Sequence, residues 1–89
     1  MARLDFGSRD LVEQSAAMAG PDALFQLGLL YSAGRDVDLD LIEAHKWFNL
    51  AALRGNEQAK FLRQEIALDM SRPDISKAQR LARQWLSKN

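Results

Sequence analysis

The chain contains no cysteine. Disulfides, thiolate metal sites and thiol nucleophiles are therefore excluded, and a reducing compartment fits. A single histidine rules out a two-histidine metal site within one chain. Only two prolines and five glycines interrupt the 89 residues, which argues against a linker or a disordered segment. No apolar run reaches the roughly 18 residues a membrane span requires. The first ten residues, Met1 to Asp10, lack the apolar stretch of a secretory signal, so a cytoplasmic location is expected. An excess of either charge is also missing, since 12 bases balance 12 acids. Their spread is uneven. Residues 1–45 hold eight acids against three bases, residues 46–71 three against four, and residues 72–89 one against five. This polarity can bias association but is too dispersed to predict nucleic-acid binding.

What the chain does have is apolar content, 47% of residues, arranged with helical period. Its length predicts one domain with a modest core. Five helices are expected. The first runs from about Arg9 to Ala19 after a Ser8 cap. The second, Pro21 to Ala33, starts on a proline where the missing N–H costs little. It is apolar almost all round: Ala23, Leu24, Leu27, Gly28, Leu30 and Tyr31 on one face, Phe25 and Leu29 nearly opposite. Such a helix is buried between neighbours or carries a binding surface. Gly28 in mid-helix costs about 1 kcal/mol relative to Ala. Close approach of another helix, under Trp47, would compensate. Gly34 stops this helix and Arg35 to Leu39 form a loop.

Asp40 then caps the third helix, and Glu43 completes a D-x-x-E capping box. Leu41, Ala44, Trp47, Phe48, Ala51 and Ala52 share a face up to about Arg54, and Gly55 terminates the helix. The fourth helix spans about Glu57 to Met70, with Ala59, Leu62, Ile66 and Met70 inward. The fifth, about Arg72 to Ser87, begins after Ser71 and turns Ile75, Ala78, Leu81, Ala82, Trp85 and Leu86 inward. Lys77, Arg80, Arg83 and Gln84 form a wet face, as a terminal capping helix requires.

The pattern repeats. Ala16-Ala17-Met18-Ala19-Gly20 recurs 35 residues later as Ala51-Ala52-Leu53-Arg54-Gly55. Ala44, Trp47, Phe48 and Ala51 recur 34 residues later as Ala78, Leu81, Ala82 and Trp85. A helical pair of this kind cannot bury both faces alone and needs a stacked neighbour.

The run Ala23-x3-Leu27-Gly28-x2-Tyr31-x2-Gly34, followed by Asp40-x3-Ala44-x2-Trp47-x3-Ala51-Ala52-x2-Gly55-x3-Ala59, resembles the Sel-one-like repeat, a relative of the tetratricopeptide repeat. The resemblance covers one full repeat, about Gly20 to Gly55. Residues 8–20 resemble the tail of a preceding repeat and residues 56–89 a degenerate terminal one. The expected organisation is a single domain, 1–89: a half repeat over 1–20, a full repeat over 21–55 and a capping repeat over 56–89. The expected fold is all-α, a short α-solenoid of about five antiparallel helices in two and a half helix–turn–helix repeats. Three departures stand out. The family's G-x-G-V loop reads Gly34-Arg35-Asp36-Val37 here, without the second glycine. One residue is missing between Gly20 and Ala23. Arg63-Gln64 replaces an expected Leu-Gly.

The resemblance implies protein or peptide binding and no reaction. The residues agree, because no Ser-His-Asp, Cys-His or glycine-rich phosphate arrangement is present. His45, at the edge of its helix's apolar face, reads as a boundary residue rather than a base or ligand. Asp36, Asp38 and Asp40 resemble the start of a calcium loop, but Leu41 and Trp47 stand where glycine and glutamate are needed. No catalytic residue, metal or cofactor is expected. Trp47, Phe48, Tyr31, Trp85 and Leu86 read as core. Phe25, Leu29, Phe61 and Leu68 lie off the main packing faces, and Gln26 adjoins Phe25. These five are the candidate partner-binding residues; coverage by the first helix or by the chain ends is the competing reading. The function expected is a non-enzymatic interaction module, and the alternative is a structural unit forming a homodimer through exposed stacking faces.

Overall fold

A computed structural model describes Ala16 and residues 19–88. Among these residues there are four helices and no strand: α1 Pro21–Ala33, α2 Leu41–Leu53, α3 Glu57–Ala67 and α4 Arg72–Lys88. The expected helix from Arg9 lies outside the described residues, apart from Ala16, which is helical and buried, and Ala19, which is neither.

Local chemistry sets the helix ends. Pro21 occupies the first turn of α1, and Gly34 closes that helix in the left-handed region (φ 66°) with its N–H on Leu30 O. The N–H of Asp40 donates to Tyr31 O across the loop (3.0 Å). Its carboxylate accepts from Glu43 N (3.1 Å) and caps α2. The Asp40 N–H is thus engaged by Tyr31, and the Glu43 carboxylate pairs with Lys46 (3.2 Å). Asn56 caps α3 through Ala59 N (2.8 Å), and Ser71 caps α4 through Asp74 N (3.2 Å). Asp36 adopts φ 63°, where L residues are disfavoured and glycine is not. This is the position at which the loop lacks its second glycine.

α2 is the centre of the structure, because α1, α3 and α4 all pack on it. α3 and α4 pack on α2 rather than closely on each other, so the second expected helical pair is not a self-contained hairpin. Of the two readings of Pro21–Ala33, burial between neighbours or a binding surface, burial all round belongs to α2 instead. Ala23 and Gln26 of α1 are exposed, whereas Glu43, Ala44, His45, Lys46, Trp47, Phe48, Leu50 and Ala51 of α2 are buried. Leu24, Trp47, Phe48 and Leu50 are the largest fully buried side chains, each contributing about 1.5–3 kcal/mol. Trp47 meets Trp85 edge-to-face, with centroids 5.8 Å apart and planes at 80°, a favoured aromatic geometry. Lys46 Nζ lies 4.1 Å from the centre of the Trp47 ring, so its charge is held by Glu43 on one side and an aromatic face on another.

Three further expectations are corrected. Phe48, not Trp47, covers Gly28: a Cβ there would fall on Cδ1 and Cε1 of the Phe48 ring. The fourth expected helix ends at Ala67 rather than Met70, and residues 68–70 form turns. Leu86 is 42% exposed rather than core.

Candidate functional site

Among the described residues a concave apolar surface lies between α1 and α3. Phe25 of α1 and Glu57, Gln58, Phe61 and Leu62 of α3 line a depression of about 320 Å³, at the low end of roughly 300–1,000 Å³ for ligand sites. Its α1 wall is built in steps. Gly28 removes a side chain, so the Phe48 ring settles on the α1 backbone. Phe25 then leans on Phe48, with centroids 5.8 Å apart and planes tilted by 41°. This contact fixes one wall. The other wall, α3, is positioned by Asn56, which caps α3 and donates from Nδ2 to Asp22 Oδ1 of α1 (3.1 Å). Arg54 Nη1 reaches back to Ala19 O (3.1 Å) and ties the same corner. Arg63 Nη1 donates to Asn49 Oδ1, joining α3 to α2. That contact gives the atypical Arg63 a packing role. Phe61 is left 60% exposed at the rim.

The structure divides the five residues singled out from the sequence. Phe25 and Phe61 meet in this depression. Gln26 and Leu29 line a separate one of about 250 Å³ with Leu30, Ser32, Ala33 and Arg35. Leu68 lines neither and stands 82% exposed after the end of α3. Phe25 and Leu29 are half-buried and pack against the core. Leu62, Glu57 and Gln58 were not anticipated as wall residues. The signal for Glu57 and Gln58 was their spacing from Phe61, and for Leu62 its spacing from Gln58, since residues one turn apart on a helix share a face.

Among the described residues the titratable groups form no reactive cluster that would compete with this surface. His45 is buried, 3% exposed, rather than a boundary residue. Burial lowers its pKa below the ordinary 6.5, and the nearby Arg63 charge lowers it further. Its Nδ1 has no hydrogen-bond partner among the described residues. No group of three or more His, Asp or Glu among those residues could hold a metal ion, and no described helix is long and apolar enough to cross a membrane.

Comparisons with curated proteins and with solved structures return no match. A family model described as the Sel1 repeat matches residues 21–56 and 68–88. The first match spans α1, the loop and α2; the second covers the turn before α4 and α4 itself, leaving α3 unmatched. Together they take in more than half of the chain, which therefore belongs to the Sel1 repeat family.

Proposed function

We propose that the chain is a non-enzymatic binding module that captures a peptide or helix of a protein partner on the α1–α3 surface. Sel1 repeats generally mediate protein–protein interaction. The observation that carries the reading is Phe61: a large aromatic side chain, 60% exposed, above an apolar depression whose other wall is Phe25. Exposed apolar surface of this kind, rimmed by polar residues, marks interaction sites. The working site is Phe25, Phe61 and Leu62, with Glu57 and Gln58 at its edge. Gln26 and Leu29 extend it along α1, and Leu68 extends it past the end of α3. A partner side chain filling the depression gains about 1.5–3 kcal/mol from burial. The whole chain acts as one domain, which is supported by a core that joins Ala16 to all four helices.

Photo-cross-linking tests the site. p-Benzoylphenylalanine at position 61 replaces one aromatic by another, and position 23, exposed on α1, serves as the control. A discrete cross-linked partner from native extract at position 61 and none at position 23 is expected. Equal labelling at both positions contradicts the reading.

A further inference from the structure

The partner that this surface fits is present in the same chain. Glu57, Phe61 and Glu65 follow one another at helical spacing and form a single stripe on α3, with Leu68 in the turn just past its end. All four are exposed. Neither glutamate is in an ion pair among the described residues, although Lys60 lies one turn from Glu57. The stripe is therefore apolar with unneutralised negative charge. α4 is its complement. Residues 72–89 hold five bases and one acid. Arg72, Lys77, Arg80 and Arg83 are all exposed, and none is in an ion pair among the described residues. Leu86 emerges at the edge of this basic face, one turn beyond Arg83, and is 42% exposed.

We propose that α4 of a second copy docks on the α3 stripe, with Leu86 entering the Phe25–Phe61 depression and Arg80 and Arg83 facing Glu57 and Glu65. The inference rests on the reading of that depression as a protein-binding site and names its occupant. Both surfaces are used once per chain and they differ, so the contact is heterologous. Copies then associate head to tail, closing into a ring or extending as a filament. Charge complementarity sets the register, and apolar burial at Leu86 and Phe61 holds it.

Sedimentation velocity of the full chain over a wide concentration range, at low and at high salt, tests the contact. Mass that rises with concentration at low salt and falls at high salt is expected, because exposed ion pairs are screened. Phe61→Ser should weaken association by roughly tenfold to a hundredfold. Two charge-reversed chains, E57K/E65K and R80E/R83E, should each be monomeric alone and should associate when mixed, because the reversed surfaces match across the pair. Circular dichroism of each variant checks its helicity. A wild-type chain that stays monomeric at low salt overturns the homotypic contact, as do reversed variants that self-associate like the parent. Neither result bears on the depression as a binding site for another protein, which stands or falls by the cross-linking comparison of positions 61 and 23.

Discussion

Gly28→Ala should destabilise the chain, although alanine is the better helix former. The substitution recovers about 1 kcal/mol of helix propensity at an interior position. Against that gain stands the ring of Phe48, which occupies the volume a Cβ would take; even Cγ would lie only 2.9 Å away. Phe48 is 1% exposed and packed against Phe25, so the ring has no free space to swing into. Overpacking a closed core costs about 1–3 kcal/mol, occasionally more. A contact this direct, on a ring this confined, belongs at the upper end, leaving a net loss of about 1–2 kcal/mol. For a domain of this size that lowers the melting temperature by about 4–15 °C. Thermal and urea unfolding followed by circular dichroism measure it. A double-mutant cycle isolates the cause: in a Phe48→Leu background the ring is gone, and Gly28→Ala should become neutral or stabilising. A Gly28→Ala chain that melts at or above the parent would refute the argument, as would an equal loss in the two backgrounds.

The same methods reach other parts of the fold. Trp47→Ala removes a fully buried side chain and its contact with Trp85; a loss of about 3–5 kcal/mol should leave the variant largely unfolded at physiological temperature, and melting within a few degrees of the parent would contradict its core role. Asp36→Gly relieves a left-handed residue and should raise stability by up to about 1 kcal/mol; a fall would show that the aspartate side chain secures the loop. His45 has a lowered folded pKa, so the unfolded chain binds a proton more readily than the folded one. Stability is then full above the ordinary value of 6.5 and is lost as pH falls below it towards the folded pKa. Urea titrations across that window should show the slope in the parent and a reduced slope in His45→Gln; identical slopes would contradict the assignment.

Periodicity and caps made the helices legible, because Pro21, Gly34, Asp40 and Ser71 act through their own backbone or immediate neighbours. What the sequence hid were choices between adjacent residues and between helices. Trp47 and Phe48 both fall on the inward side of α2, about 100° apart, and only the packing of α1 decides that Phe48 meets Gly28. No glycine or proline lies between Ala67 and Met70, so nothing local marked the end of α3 or placed Leu68 in a turn. Nothing in the sequence marked Glu43 and Lys46 for burial, and His45 read as a boundary residue, yet α2 is packed on by three helices, and a short ion pair and the Trp47 ring let Glu43 and Lys46 be buried. In the candidate site, Phe25 and Phe61 were legible as residues off the packing faces. Their meeting was not, since it depends on how α3 sits against α1, which Asn56 and Arg54 set through long-range hydrogen bonds.

Phe61→Ser tests the binding surface most directly, because Phe61 is the apolar residue of the depression with least to do in the core. The variant and the parent are immobilised side by side, and the proteins each retains from native extract are quantified alongside melting curves. The expected result is unchanged melting within a few degrees and loss of at least about nine-tenths of the retained partner, the tenfold effect that removing one buried aromatic contact produces. Retention equal to the parent would contradict the assignment of the α1–α3 surface as the binding site, and a large fall in melting temperature would show that Phe61 belongs to the core.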